Sequence, residues 1–254
     1  MGWKTLEFSW LSRFFRRMSN LASQAGTLTT AQGWDQYARS YLGAASQHLG
    51  DEWNSPESIG IDAPANRIVC HLDETVFAPF LGKPNTILEI GSGGGRFSEI
   101  LLPKCRKLIL SDTSSSMLKL VRRRFSGVDK VEFLLLDGLG LSGLSDQSVD
   151  AAFSYDVFIH MQHWDIYRYL CELRRVIKPG GKAIVQHTNT FSQLGWKRFL
   201  MEVPDSLNRH KPWWTFTLMT PDIMTEFIQR AGLTLDRCIT DVVARDCIFL
   251  IRAP

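Results

Sequence analysis

From Thr86 onward, short runs of apolar and β-branched residues alternate with longer stretches whose apolar positions recur every three or four residues. Short continuous or period-two runs are strand signals and a 3.6-residue period is a helix signal, so the alternation predicts successive β-α-β units around a parallel sheet. The runs are Thr86 to Ile90, Lys107 to Ser111, Val131 to Leu136, Val149 to Tyr155, Lys182 to His187, Thr234 to Thr240 and Cys247 to Arg252. Helices are expected over Phe97 to Pro103, Ser115 to Phe125, Trp164 to Ile177 and Asp222 to Ala231, the last after the start signal Thr220-Pro221. The final two runs are joined only by Asp241 to Asp246, too short for a crossover helix, so they pair antiparallel. The expectation is an α/β fold: a seven-stranded, mostly parallel sheet ending in one antiparallel strand, with helices on both faces.

Upstream the pattern changes. Trp3, Leu6, Trp10, Phe14 and Met18 share helical spacing over Trp3 to Leu21, with Arg13, Arg16 and Arg17 available to the other side. This is an amphipathic helix, either docked on the domain or lying on a membrane surface or a partner. Ala22 to Gly33 reads as a loop. Trp34 to Leu81 is helical in composition, interrupted at Gly50, Pro56, Gly60 and Pro64, as in a cap ahead of a main domain. The chain thus divides into an N-terminal helix and loop (1–32), a helical cap or lid (33–83) and a core (84–254) with an aromatic insertion at 190–217. In that insertion Phe191, Trp196, Phe199, Trp213, Trp214 and Phe216 either enclose an apolar or cationic substrate or fill core.

Composition narrows the class. At 254 residues, with 44% hydrophobic and 22% charged residues, the chain suits one packed domain with attachments, which argues against disorder and a membrane-embedded body. A net charge of +3 lacks the concentrated basic character of a nucleic-acid binder, so no nucleic-acid partner is expected. Cys70, Cys105, Cys171, Cys238 and Cys247 form no CxxC pair and are expected as reduced, mostly buried thiols of a cytoplasmic protein. Charged residues interrupt the N-terminal apolar positions, unlike a signal peptide, and no run is long enough to span a bilayer.

The chemistry begins at Glu89-Ile90-Gly91-Ser92-Gly93-Gly94-Gly95-Arg96-Phe97, where a β-run ends in an acid and opens through glycines into a helix. Glycines allow a tight turn and close approach of the backbone to a ligand. The dinucleotide pattern GxGxxG fails at Arg96, and a phosphate-binding P-loop would need Lys followed by Ser or Thr, which Gly95-Arg96-Phe97 does not supply. Asp112 closes the second run, where a carboxylate can accept two ribose hydroxyls. Asp137 closes the third, where it can accept from an adenine amino group. Three such features at successive strand ends define one crevice.

This ordered set resembles the class I S-adenosylmethionine-dependent methyltransferases, of the small-molecule type, over about Gly33 to Pro254. The first motif corresponds to Glu89 through Gly95, the ribose acid to Asp112 and the adenine-side acid to Asp137. The fourth motif resembles Asp150 through Asp156. Leu173 through Gly181 resembles the turn before the fifth strand, and its Lys178-Pro179-Gly180-Gly181 is expected only as a helix stop and tight turn. Gly33-Trp34-Asp35-Gln36-Tyr37-Ala38 resembles the segment that folds over the cofactor. The resemblance implies a Rossmann-like fold, S-adenosylmethionine as cofactor, and cofactor contacts at Trp34, Tyr37, Glu89, Gly91, Ser92, Gly93, Asp112, Thr113, Met117, Asp137, Gly138, Ser154 and Tyr155.

The implied reaction is attack by an acceptor nucleophile on the sulfonium methyl, in which the enzyme's main task is to position the two reactants. His160, His163 and His187 are the candidate bases, since an imidazole titrates near neutrality. Asp156, His160, His163, His187 and Asn189 lie near the crevice mouth in no recognisable metal-ligand spacing, so no metal is expected. Ser154-Tyr155-Asp156-Val157 departs from the Asn-Pro-Pro-Tyr pattern of members acting on nucleobases or glutamine. The expected acceptor is a small or lipid-like molecule, with an O, N or C nucleophile all open. The alternatives are a cofactor-binding regulatory protein without catalysis, and a membrane-associated or macromolecular methyltransferase. The pattern leaves the oligomeric state undetermined.

Overall fold

The computed structural model describes residues 30–40, 49, 68–206 and 215–254. The expected amphipathic helix at 1–21, most of the linking part of the cap, and Trp213 and Trp214 lie outside the described residues. Seven strands form one sheet: β1 (Thr86–Ile90), β2 (Lys107–Asp112), β3 (Val131–Leu135), β4 (Val149–Ser154), β5 (Ile177–Thr188), β6 (Thr234–Ile239) and β7 (Asp246–Arg252). Their order is β3-β2-β1-β4-β5-β7-β6. β1 to β5 run parallel, and β7 is antiparallel to both β5 and β6.

The single reversed strand is as expected, but it lies inside the sheet and not at its edge. The burial of each strand explains why. β7 is buried from Asp246 through Ile251 and suits a position covered on both faces, whereas β6 alternates exposed and partly buried residues, as an edge strand does.

Among the described helices, α1 is Thr30–Arg39. Helix α2 runs continuously through Ile68–Leu72, a π-turn at Asp73–Phe77 and Ala78–Leu81. The others are α3 (Ser98–Leu101), α4 (Ser115–Arg124), α5 (His163–Val176), α6 (Gln193–Ser206) and α7 (Pro221–Arg230). Ser114 caps α4 by accepting the Met117 N–H at 3.1 Å, and Thr220 caps α7 in the same way. Gly33, expected in a loop, is buried inside α1. Helix α6 was not anticipated within the aromatic insertion, although Trp196, Leu200 and Val203 recur at helical spacing; all three are exposed.

The Lys178-to-Gly181 turn is instead part of β5. Gly180 keeps the positive φ of a turn residue, 73°, while its N–H donates to the Ala253 carbonyl at 3.0 Å, and the β4–β5 register shifts to absorb the irregularity. Asp150, which opens the fourth-motif resemblance, accepts the Thr86 N–H at 2.8 Å and pairs with Lys178 at 2.9 Å. It therefore braces the amino end of β1, the edge of the sheet away from the crevice. The cysteines also depart from expectation: Cys105 and Cys247 are buried, but Cys70 and Cys171 are exposed.

Period-two alternation divides the sheet into two cores. On one face Phe77, Phe97, Phe153 and Tyr155 pack with ring centroids 4.6–6.5 Å apart. On the other, Leu88, Phe158, Tyr169, Leu170 and Phe249 are almost fully buried. Burial of each such side chain is worth roughly 1.5–3 kcal/mol, which makes the sheet a rigid platform for the residues at its carboxyl edge. Among the described residues no helix is long and apolar enough to cross a membrane.

Candidate cofactor site

A cavity of about 580 Å³ opens at the carboxyl ends of β1 to β4. The strand order reverses between the parallel neighbours β1 and β4, and the cavity lies at that switch point, the usual ligand crevice of an open α/β sheet. Trp34, Glu89, Gly91, Ser92, Gly93, Asp112, Thr113, Met117, Asp137, Gly138, Tyr155 and His160 all line it.

Backbone bonds shape the glycine loop. The N–H groups of Gly91 and Ser92 both donate to the Ser111 carbonyl, at 2.8 and 2.9 Å, and the Gly93 N–H donates to Asp112 Oδ2 at 3.0 Å. Gly93 has φ +52° and nothing within 4 Å of where a Cβ would stand, so the loop faces open space there. Gly94 differs: a Cβ would fall 1.9 Å from the Leu49 carbonyl oxygen. The room left by this glycine is occupied by the protein's own backbone, which rests directly on the loop.

The three strand-end acids have distinct environments. Glu89 is buried and accepts the Ser98 hydroxyl at 2.6 Å; loss of solvent raises its carboxyl to about 8, against that hydrogen bond and helped by the nearby Asp112 charge. Burial likewise raises Asp112 to about 6, opposed by N–H bonds from Ser114 at 2.8 Å and from Gly93. A carboxylate offers about four lone-pair sites, so Asp112 keeps acceptor capacity beyond these two bonds. Asp137 is exposed at the rim, where it accepts the Leu139 N–H at 2.8 Å and forms a local turn.

His160 sits between two aromatic edges, Trp34 at 5.0 Å and Phe216 at 5.2 Å. Its Nδ1 is buried without a hydrogen-bond partner, and burial lowers its pKa to about 4 although Asp156 acts in the opposite direction. The ring is therefore neutral at pH 7. The Tyr155 hydroxyl is also buried without a partner, and loss of solvent pushes its pKa well up.

Four expected site residues are not among those lining the cavity. Tyr37 is buried against Trp34, with ring centroids 5.9 Å apart. Ser154 donates to the Ile90 carbonyl at 3.1 Å, tying β4 to β1. His163, at the start of α5, meets the Leu218 carbonyl at 2.9 Å. His187 is fully buried on the opposite sheet face from Gln186, and burial lowers its pKa to about 3. Alternation along β5 puts His187 on the face that carries Ala183 and Val185, where it is packed away from the cavity lining.

An ion-pair chain with no counterpart in the sequence pattern borders the cavity. Asp156, which lines the cavity with a left-handed φ of 58°, pairs with Arg96 at 2.5 Å and with Arg245 at 3.3 Å. Arg245 also grips the buried Asp246 through two bonds of 2.6 and 2.7 Å. Burial works against the Asp156 carboxylate, but Arg96 and Arg245 together hold it below the usual range. The positive φ of Asp156, shared among the described non-glycine residues only with Gln147, is invisible without the backbone. In the sequence Arg96 stands out only as a mismatch to the dinucleotide pattern.

Residues 88–185 match the family model described as a methyltransferase domain. Demethylmenaquinone methyltransferase of Clavibacter sepedonicus is 33% identical over 116 residues, covering 44% of this chain and 44% of that protein. Probable ribosomal RNA small subunit methyltransferase A of Methanosarcina barkeri is 27% identical over 153 residues, covering 56% of this chain and 53% of that protein. The chain spans about half the length of the curated relatives it matches. The crystal structure of PH0226 protein from Pyrococcus horikoshii has a TM-score of 0.62 at 21% identity, covering 79% of this chain and 96% of that one. A SAM dependent methyltransferase from Aquifex aeolicus has a TM-score of 0.56 at 20% identity, covering 76% and 95%. At these identities the structural likeness establishes the fold. The methyltransferase-domain match over residues 88–185 and the strand order together support a likeness to the class I S-adenosylmethionine-dependent methyltransferases, a family whose cofactor is S-adenosylmethionine.

Proposed function

We propose that the chain transfers the methyl group of S-adenosylmethionine to a small-molecule or lipid-like acceptor. The observation that carries this reading is the convergence of Glu89, Asp112 and Asp137, from three adjacent strands, on one cavity that also holds a neutral histidine.

S-adenosylmethionine supplies an electrophilic methyl on a cationic sulfur, so carboxylates suit its pocket. Asp112 accepts the ribose hydroxyls with the lone pairs left over by Gly93 and Ser114, and Asp137 accepts from the adenine amino group at the rim. Gly91, Ser92 and Gly93 bring backbone close to the cofactor, with Thr113, Met117 and Gly138 beside it and Trp34 covering it. His160 is the base of choice, ahead of His163 and His187, because it lines the cavity and its free Nδ1 can take a proton from a hydroxyl, phenol or amine acceptor. Tyr155 lines the same cavity on the cofactor side.

Titration calorimetry with S-adenosylhomocysteine tests the cofactor half: Asp112→Ala should weaken binding about 100-fold, roughly 2.7 kcal/mol. Undiminished affinity in this variant counts decisively against the site. Incubation with radiolabelled cofactor and separate metabolite, lipid and RNA extracts tests the acceptor half. Label in the metabolite or lipid fraction supports the reading, and label only in RNA overturns it. Binding without transfer to any fraction favours a regulatory protein.

A further inference from the structure

We propose that Asp35 is a positioning residue that holds α1, and with it Trp34, closed over the cavity by docking onto the amino end of α4 through Ser114. The proposal rests on the cofactor reading above and adds how the cover is held.

Asp35 Oδ1 accepts the Ser114 hydroxyl at 2.8 Å and the Ser116 N–H at 2.8 Å, with the Ser115 hydroxyl at 3.4 Å. Its other oxygen pairs with Arg39 at 2.7 Å, one turn along α1. An unpaired helix N–H is thereby satisfied by an acid from another helix, where the α4 dipole also favours negative charge. Burial opposes the charge, yet these bonds hold the Asp35 carboxyl at about 2, so the docked form is fully ionised at neutral pH.

Ser114 makes the tether more than a brace. Its backbone N–H donates to Asp112 Oδ1 at 2.8 Å, its hydroxyl donates to Asp35, and its Oγ accepts the Met117 N–H. One residue therefore fixes the orientation of Asp112, caps the helix carrying Met117, and holds the element that carries Trp34. Trp34 immediately precedes Asp35 in the chain and reaches the cavity edge-on to His160. Displacing Asp35 would free the cover while leaving the sheet and glycine loop in place.

The test compares the full chain with Asp35→Ala and Asp35→Asn, reading S-adenosylhomocysteine affinity by calorimetry and tryptic cleavage after Arg39 in the ligand-free protein. Asp35→Ala should bind about tenfold more weakly and be cut at Arg39 at least several-fold faster, while its far-UV spectrum is unchanged. Asp35→Asn keeps the Oδ1 acceptor but not the charge on Arg39, and should restore both readouts to within about threefold of wild type. In the wild-type protein, ligand should slow amide exchange of Trp34 to Ala38 and of Ser116 together, a readout that needs no variant. Wild-type affinity and cleavage in Asp35→Ala, equal losses in the Ala and Asn variants, or exchange at Ser116 uncoupled from α1 would each overturn the tether. Failure of the wild-type protein to bind would instead refute the cofactor reading, and cleavage at Arg39 would still report on the tether.

Discussion

The two walls of the cavity are built on opposite principles. Along β1, β2 and β3 each acid takes its protein hydrogen bonds from nearby chain: Glu89 from Ser98, Asp112 from Gly93 and Ser114, Asp137 from Leu139. Along β4, β5 and β7 the charges satisfy one another across distance, with Asp156 paired to partners 60 and 89 residues away in Arg96 and Arg245. The first wall retains unspent acceptor capacity and, at Glu89 and Asp112, carboxyls raised by burial, ready for a cation. The second is neutralised internally and contributes shape. Binding chemistry and structural stability are thus divided between the two sides of one crevice.

The sharpest way to break that division is Arg245→Ala. It strands the fully buried Asp246 and half of the Asp156 pairing, and unpairing a buried charge costs about 3–5 kcal/mol. Thermal unfolding should move down by on the order of 10 °C, while the folded fraction binds S-adenosylhomocysteine within about threefold of wild type. A large loss of affinity without loss of stability would show that the second wall binds cofactor after all.

A pH series gives the next largest effect. Glu89, raised to about 8, and Asp112, raised to about 6, hold protons in the free protein that a cationic ligand displaces. S-adenosylmethionine affinity should therefore rise about tenfold between pH 6 and 8 and level off above 8, with proton release visible as buffer-dependent binding heat. Glu89→Gln should flatten the upper part of the curve. Stability follows the same linkage: the Glu89 contribution is fully present below its unfolded value near 4.5 and is lost as pH rises through about 8. The contributions of His160 and His187 are present above about 6.5 and are lost as pH falls through about 4 and 3. A flat affinity profile would place the carboxylates away from the sulfonium charge.

The smallest effect belongs to Asp137→Ala. An exposed acceptor at the rim should contribute only about 1 kcal/mol, a roughly fivefold change in calorimetric affinity. A hundredfold loss would make the rim as important as Asp112.

The same division explains what could be read in advance. Strand-end acids and glycine turns are local patterns, so β1 to β4 and Glu89, Asp112 and Asp137 were legible within a few residues of their observed positions. β7 was legible as a reversed strand, but its place between β5 and β6 depends on which strand is buried on both faces, a property of the assembled sheet. His187 looks equivalent to His160 because both follow strand runs, but His187 is fully buried within β5, whereas His160 sits on the turn beyond β4 that lines the cavity. Helix α6 leaves its periodic apolar residues Trp196, Leu200 and Val203 exposed, so its period marks no buried face. Arg245 and Asp246 fell in what read as a connection, and no spacing rule joins them to Arg96.

The internal position of β7 has a consequence for synthesis. The strand occupying the slot between β5 and β6 is Asp246–Arg252, so β5 presents an unpaired apolar edge until those residues have been made. A nascent chain can assemble β1 to β5 and still expose the partner groups of a strand more than fifty residues downstream. Such long-range pairing is slow, and open edges are prone to the wrong partners. Expression yield should then respond to how quickly residues 246–252 are made, a kinetic hazard placed one strand in from the edge of an otherwise early-forming sheet.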